Sequence, residues 1–476
     1  VLPGNVRPLK RRFVIGMKRK MNKYKVAFHT LGCKTNHYET DVIARQFNLH
    51  GFEQVDFREP ADAYIINTCT VTGEADRKSR QMLRRAKQNN PEAVVVAMGC
   101  HAELSDTADY ADLCIGTQGK SRAVQLVKDA LNAKAANAEK NGGIFQVDSY
   151  KYDKREGHHT YDDNPAYEEL GISEIQSETR AYLKIEDGCN AFCSYCTIPL
   201  ARGRVRSREP DAIMQEARTL VKAGYKEIVL TGIHLCSYGL ERGEPSHSVA
   251  LLAGELAGIN GLERIRLGSL EPLSVTDEFL SVLSNNNKIC PHFHLSLQSG
   301  CDKTLKAMNR RYNTEQYRQV VHKIRQIWPL AGITTDIIVG FPGETEADFQ
   351  TSLEFCAEME LSRVHVFRFS PREGTRAADM SGQVSPAESA ERSRKMQGLA
   401  DQMSLAFNKK IFNSKLPFFV LLEKLREDDR LMTGYTDSYA PVLVAGLDAK
   451  SSNKLIQVKI TGFDEHFLRG LPVKAD

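Results

Sequence analysis

The stretch Ala181-Tyr182-Leu183-Lys184-Ile185-Glu186-Asp187-Gly188-Cys189-Asn190-Ala191-Phe192-Cys193-Ser194-Tyr195-Cys196 decides the architecture. Residues 181–185 form an apolar run that reads as a buried strand. Cys189, Cys193 and Cys196 follow it in Cys-x3-Cys-x2-Cys spacing. At the chain's own cysteine frequency this fixed pattern arises by chance about 0.006 times. A zinc site would draw a fourth nearby Cys or His, and none lies within roughly ten residues. Three thiolates with no local fourth ligand fit an iron–sulfur cluster with one open iron. Zinc, or three structural thiols in a loop, remain the alternatives from spacing alone.

Downstream, apolar runs recur at 227–231, 264–268, 293–297, 333–339 and 363–369, with helix patterns between them. Ile213, Ala217, Leu220 and Val221 give the i, i+4, i+7, i+8 repeat of an amphipathic helix, with Pro210 at its start and Gly224 at its end. Thr345 and Asp348 cap a further helix, and Ser385-Pro386-Ala387-Glu388 is a capping box that opens one running to about Ile411. Six β/α units are too few for a closed eight-stranded barrel and predict a partial one. Beyond it, 418–422, 431–435, 441–444 and 455–460 read as short strands with Gly and Asp turns and no helices between them. That is the pattern of a small antiparallel barrel, a shape often used for oligonucleotides, although a barrel without a ligand also fits.

Upstream, 24–29, 63–66 and 93–98 are buried-strand runs, each followed by a cysteine (Cys33, Cys69, Cys100) and a helix-like segment, one of them the Arg- and Lys-rich stretch 77–88. Strand–helix alternation predicts a parallel sheet, whose carboxyl strand ends form the ligand crevice. The three cysteines could converge there on a second cluster, or be cysteines buried at strand ends. Cys114, Cys236, Cys290, Cys301 and Cys356 sit singly and read as core thiols, with Cys236 left open because it follows a strand near the site. The expected domains are therefore a basic, disordered tail over 1–22, an N-terminal α/β domain over 23–140, a connector over 141–178, a partial barrel with its following helix over 179–411, and a small barrel over 412–476. The connector includes a short strand at 143–147 and a loop with His158 and His159, read as solvated.

Composition excludes other classes. With 41% hydrophobic and 26% charged residues among 476, the chain is an ordinary soluble one that can bury a sizeable core. No run approaches the roughly 18 apolar residues of a membrane helix. The apolar stretch 13–17 is too short for a secretory signal. Eleven cysteines, an odd number, disfavour a disulfide framework and point to a reducing cytoplasm. The net charge of +4 is a property of one end: nine Lys/Arg and no acid lie in residues 1–25, and the remainder has 55 basic against 60 acidic residues. Val1 with Met17 and Met21 downstream makes part of that tail read as a translation-start artefact or a disordered arm. Overall charge thus says nothing about nucleic acid.

Cys189-Asn190-Ala191-Phe192-Cys193-Ser194-Tyr195-Cys196 resembles the radical S-adenosylmethionine signature, with Tyr195 at the usual aromatic position. The three upstream cysteines, the six-unit domain and the strand-rich C-terminus together resemble the methylthiotransferases over residues 23–476, and the last domain resembles the RNA-binding TRAM barrel. His29-Thr30-Leu31-Gly32-Cys33-Lys34-Thr35-Asn36-His37-Tyr38-Glu39-Thr40 is similar to the branch acting on threonylcarbamoyl-adenosine in tRNA, and unlike the isopentenyl-adenosine and ribosomal-protein branches.

The resemblance implies two [4Fe-4S] clusters, one on Cys33, Cys69 and Cys100 and one on Cys189, Cys193 and Cys196. The second would bind S-adenosylmethionine and cleave it to a radical. The first would supply sulfur, and a second S-adenosylmethionine the methyl group, for a 2-methylthio product next to the anticodon. It also implies a tRNA substrate, a reducing electron donor, a sulfur source, cytoplasmic location and no membrane. Tyr195, Thr231, Gly232, Ser269, Glu271 and Gln298 match cofactor-binding positions. Gly340–Glu344 reads as a rigid turn shaping the adenosyl pocket, and Ser370, Arg372, Gly374 and Thr375 follow the sixth strand. Arg202 opens a run of four arginines to Arg208, which reads as a solvated face or as contacts to cofactor carboxylate or tRNA phosphate. In the small barrel Lys409, Lys410, Lys415 and Lys424 with Tyr435, Tyr439 and Phe463 combine phosphate-neutralising and base-stacking groups. Methylthiolation of isopentenyl-adenosine or of a protein residue, and a non-catalytic iron–sulfur RNA-binding protein, are the competing readings.

Overall fold

A computed structural model describes residues 24–107, 109–138, 166–172 and 179–473. The expected tail, the strand at 143–147 and the His158–His159 loop lie outside the described residues.

The first unit alternates β1 (Tyr24–Thr30), α1 (Lys34–Leu49), β2 (Phe52–Val55), β3 (Ala63–Thr68), α2 (Gly73–Asn89), β4 (Val94–Gly99), α3 (Cys100–Leu104), β5 (Leu113–Ile115) and α4 (Ala123–Ala138). Its five strands form one parallel sheet in the order β2-β1-β3-β4-β5. β3 and β4 are buried along their whole length, as unbroken apolar strands covered on both faces must be. β2 and β5 escape sequence reading because they are short edge strands.

The second unit carries β6 (Ala181–Lys184), the small pair β7 (Glu186–Asp187) and β8 (Arg206–Ser207), β9 (Glu227–Thr231), β10 (Arg264–Leu267), β11 (Ser269–Leu270), β12 (His292–Leu295), β13 (Gly332–Val339) and β14 (Arg363–Arg368). Six main strands run parallel in two ladders, β6-β9-β10 and β12-β13-β14, joined through a bridge between Ile265 and Ile289 and by β11. The expected six-unit partial barrel is present. Leu183, Ile228, Leu230, Ile265, Phe293 and Ile337 lie in the main apolar core under the helices. Strand alternation therefore turns Lys184, Glu227, Arg266, His292, His294, Asp336 and His365 toward the lumen.

Helices α5 (Ile198–Arg202), α6 (Pro210–Lys222), α7 (Ser248–Ala257), α8 (Asp277–Ser284), α9 (Asp302–Ala307), α10 (Thr314–Ile327) and α11 (Glu346–Glu358) connect the strands. Thr345 and Asp348 form a reciprocal capping box on α11, and Ser385 and Glu388 another on α12 (Pro386–Ser414), with Pro386 at its first turn.

The last unit closes as a barrel in the order β15-β16-β17-β19-β18, from β15 (Pro417–Leu425), β16 (Met432–Thr436), β17 (Pro441–Val444), β18 (Leu455–Phe463) and β19 (Leu468–Pro472). One seam, β17 against β19, is parallel. The expected small antiparallel barrel is present with this one parallel seam: five is odd, so strand direction cannot alternate all the way round. β19, with Gly470 and Pro472, lacks the apolar run that would reveal it.

This barrel plugs the amino-terminal end of the larger one. Arg266 pairs with Glu227 at 2.7 Å and donates to the carbonyl of Asp437 at 2.8 Å, and Arg180 pairs with Glu423 at 2.9 Å. Tyr435 and Tyr439 stack at 4.7 Å, with the Arg180 guanidinium over both. Removing one member of a buried pair leaves the other charge uncompensated. Arg266→Met should therefore cost about 3 kcal/mol in urea unfolding. Adding Glu227→Gln to that variant should recover part of the loss, and a double variant as unstable as the single one would refute the coupling.

Candidate functional site

Cys33, Cys69 and Cys100 sit just beyond the carboxyl ends of adjacent strands β1, β3 and β4. Cys33 occupies the N-cap of α1 without using its side chain as a cap, Cys69 follows β3, and Cys100 opens α3. Gly32 has φ +101, and a Cβ there would lie 2.9 Å from the Cys69 sulfur, so only glycine lets the Cys33 loop approach Cys69 this closely. Asn36 locks the arrangement, donating to the carbonyls of Leu31 (2.7 Å) and Thr68 (3.1 Å).

Cys189, Cys193 and Cys196 lie on the loop between β7 and α5. Burial, with neighbouring thiols adding, pushes Cys69, Cys189 and Cys196 up to about 12, and burial raises Cys100. Three-thiol sets whose bare thiolates are costly fit cations that share the space, which is the chemistry of cluster ligation. The two sets are neighbours: the charge of Cys100 acts on Cys196.

Arg202 joins them. From the end of α5 it donates through Nε to the Cys100 sulfur at 3.3 Å, and through Nη2 to Asn36 at 2.8 Å. Its Nη1 pairs with Glu39 (2.9 Å) and Asp187 (3.0 Å). Lys120 and Lys184 also reach Glu39, at 2.5 and 2.8 Å. All five charged groups are buried. Burial alone would raise the Glu39 carboxyl, but Arg202, Lys120 and Lys184 hold it well below the usual carboxylate range. This corrects the reading of the arginine run. Arg202, Arg206 and Arg208 are buried and face internal acids, Arg208 on Glu216 and Glu169, so they are not a phosphate-binding face. Of the four, only Arg204 is exposed. Arg202 lies against Cys100.

The expected cofactor positions gather at the carboxyl end of the half-barrel. Thr231 ends β9 and Gly232 follows it, Ser269 and Glu271 follow β10, and Gln298 follows β12. Gln298 holds a left-handed backbone (φ 68) fixed by its amide on the Asp336 carbonyl at 2.9 Å. Gly232 does allow a close approach, but by a side chain: a Cβ would sit 2.1 Å from Glu186 Oε1. Tyr195 packs with Phe341 and Met308, so the Gly340–Glu344 turn supports the cysteine loop from below. Ser370 and Arg372 instead bind the first unit, accepting from the Gly73 amide and donating to Thr70 and Asp76. Cys236 is a core thiol.

Two side chains escaped sequence reading. Arg310 donates to the Cys193 sulfur at 3.1 Å and to Tyr312 Oη at 3.1 Å, and lies 3.7 Å from Glu271. Its only signal was the Asn309-Arg310-Arg311-Tyr312 cluster after α9. His234 bonds Glu271 at 2.8 Å and Ser237 at 2.5 Å, three residues beyond Thr231. Burial alone would raise Glu271, but His234 and then Arg310 keep it ionised.

Residues 183–356 match the radical SAM superfamily, and residues 25–113 match the uncharacterized protein family UPF0004. A threonylcarbamoyladenosine tRNA methylthiotransferase MtaB of Bacillus subtilis is 39% identical, over 91% of this chain and 93% of its own. The chain belongs to the radical SAM methylthiotransferase family. MtaB of Thermotoga maritima is 38% identical over 82% and 85%. A tRNA-2-methylthio-N(6)-dimethylallyladenosine synthase of Natranaerobius thermophilus is 34% identical over 91% and 93%. Among solved structures, the radical S-adenosylmethionine methyltransferase TsrM of Kitasatospora setae shares the fold, with a TM-score of 0.51, 15% identity and coverage of 76% and 77%. For this methylthiotransferase the family implies S-adenosylmethionine and a [4Fe-4S] cluster.

Glu186 yields a test of the geometry. It is fully buried, one carboxylate oxygen accepts from the His234 amide at 2.5 Å, and the other has no partner. Burial, with Asp187 adding, pushes it up to about 8. A carboxyl raised on folding stabilises fully below its unfolded value, and that contribution is lost as pH rises toward 8. Relative to Glu186→Gln, the wild-type urea stability should fall by about 1.4 kcal/mol per pH unit between roughly pH 5.5 and 7 and level off above about 8. Parallel pH profiles would exclude a protonated Glu186.

Proposed function

We propose that this chain converts N6-threonylcarbamoyladenosine next to the anticodon of tRNA into its 2-methylthio derivative. The observation that carries this reading is that Arg202 bonds both Cys100 and Asp187, and so ties the first cysteine set to the segment that leads into Cys189 within one buried network. A radical enzyme that also delivers sulfur needs both sets within reach of one substrate atom. The family membership and the relatives at 38–39% identity named for threonylcarbamoyladenosine support the substrate.

In this reading Cys189, Cys193 and Cys196 hold the cluster that receives S-adenosylmethionine, and Cys33, Cys69 and Cys100 hold an auxiliary [4Fe-4S] cluster. When bound, these groups supply the radical, sulfur and methyl group that side chains do not provide. The protein's own residues bind and tune. Tyr195, Thr231, Gly232, Ser269, Glu271 and Gln298 line the cofactor. Glu271, held ionised by His234 and Arg310, accepts hydrogen bonds from cationic or hydroxyl groups. Arg202 and Arg310 each donate to one cysteine sulfur, which stabilises the more electron-rich state of a cluster. A reducing electron donor and a sulfur source complete turnover, in a reducing cytoplasm. Among the described residues no helix is long and apolar enough to cross a membrane.

The domain boundaries proposed are 23–140, 141–178, 179–411 and 412–476 after a tail over 1–22, the last unit acting as a TRAM-like RNA-binding domain. Its exposed Lys409, Lys410, Lys415 and Lys424, beside exposed Phe419, are the groups offered to RNA. Tyr435 and Tyr439 are not, because they are spent on docking, and Phe463 packs on Phe412.

Anaerobic reconstitution should give about eight iron per chain, and Cys69→Ala about four with deoxyadenosine release retained. Four iron in the wild type would remove the auxiliary cluster. Nucleoside mass spectrometry of tRNA from a deletion strain should show loss of methylthio-threonylcarbamoyladenosine. Its retention with another methylthio nucleoside missing would overturn the substrate, and no cleavage of S-adenosylmethionine under strong reductant would support a non-catalytic RNA-binding protein.

A further inference from the structure

Lys34, the first residue of α1 and the neighbour of Cys33, is a cation from the first unit placed among lumenal groups of the second. The charges of Arg266 and Arg180 act on its ammonium, and its own charge acts on His292 and His365. These residues come from the amino-terminal approach to β6 and from β10, β12 and β14, so the charge of Lys34 is felt within the half-barrel. The neighbouring cations are neutralised internally: Arg180 by Glu423, Arg266 by Glu227, Lys184 by Glu39 and Asp187. Glu227, the acid whose charge reaches Lys34, is already committed to Arg266 and Arg264. Among the described residues the Lys34 ammonium has neither an ion pair nor a hydrogen bond. It is partly buried, so it is a charge kept in a confined space without a partner.

The surroundings select the sign of a ligand. His294, Asp336 and His365 place ligand atoms within 4.8 Å of one another and could hold a cation by distance alone. The charge of Lys34, which acts on His365, opposes a cation there and favours an anion. The nearby Phe367 on β14, 42% exposed, offers a flat apolar surface two residues along the strand from His365. A purine base carrying an anionic substituent matches both features.

We infer that Lys34 is the specificity residue for the substituent on the substrate adenine, its ammonium pairing with the free carboxylate of the threonylcarbamoyl group. This rests on the methylthiotransferase reading above. Under that reading Cys33 holds the cluster that gives sulfur to C2 of the same purine whose N6 bears the substituent, so the residue beside Cys33 is within reach of it. A neutral alkyl substituent would leave Lys34 unpaired in a confined site, which is discrimination by an unsatisfied charge.

The test uses the full-length, anaerobically reconstituted enzyme and two anticodon stem-loop RNAs. One carries threonylcarbamoyladenosine, and the other the same nucleoside with its carboxylate converted to a primary amide. Filter-binding affinity and methylthiolation are measured for both. Wild type should prefer the carboxylate by roughly 10- to 100-fold. Lys34→Met should remove the preference while iron content and deoxyadenosine release stay at wild-type levels, and Lys34→Arg should restore part of it. A preference unchanged in Lys34→Met, or absent in wild type, overturns the assignment. Failure of the broader reading is separately visible in wild type alone, as methylthiolation of an isopentenyl-adenosine stem-loop with neither of these two RNAs modified, and it would overturn the Lys34 role as well.

Discussion

Glu39 is the residue around which the two larger units are built. A fully buried carboxylate from α1 accepts contacts from Lys120 of its own unit and from Lys184 and Arg202 of the half-barrel. Taking these ions out of water costs several kcal/mol each, which only near-complete pairing offsets. Such a network does not tolerate sliding, because a shift of an ångström or two leaves charges unmatched in a low dielectric. It therefore acts as a registration device. When Arg202 meets both Glu39 and Asp187, its Nε falls on Cys100, so the same contact holds the segment before Cys189 against the first cysteine set.

The charge of this network matters as much as its geometry. Three cations, Lys120, Lys184 and Arg202, face two acids, Glu39 and Asp187, leaving an excess positive charge beside Cys100. Arg310 does the same for Cys193 on the other side, with Glu271 as its partial counterion. Thiolate-rich clusters carry negative charge that grows on reduction. An enclosed site with fixed guanidinium donors stabilises that charge better than water-exposed lysines, since the donors need not reorganise.

Much of the scaffold was legible. The strands at 227–231 and 441–444 match their apolar runs residue for residue, and the capping boxes at Thr345 and Ser385 form as written, because those signals are local. Cys33, Cys69 and Cys100 lie at the ends of three neighbouring strands, as parallel α/β connectivity requires. What resisted was decided at long range. A run of four arginines looks the same whether it meets solvent or buried partners more than 150 positions away, as Arg202 meets the Glu39 carboxylate and the Asn36 amide oxygen. Tyr435 and Tyr439 have the chemistry of base stacking and the position of a plug. His234 and Arg310 carry no spacing signal, since their partners Glu271 and Cys193 are assembled by the barrel and not by adjacency in the chain.

The same distinction resolves the puzzle of charge. Outside residues 1–25 the chain is slightly acidic, which is unhelpful to a protein that must hold a polyanion. Its positive groups are not spread evenly, however. Those that the strand pattern turns inward, Lys184, Arg264 and Arg266, with Arg202 beside them, are each matched by acids and fix how the three units dock. Those left exposed on the last helix and the small barrel have no such duty. Docking thus consumes bases together with acids, and the balance visible in the composition reports mainly on those interior contacts. Affinity for RNA then depends on which few cations the fold leaves unmatched, and a net charge near zero is compatible with tight binding when those cations are concentrated on one side.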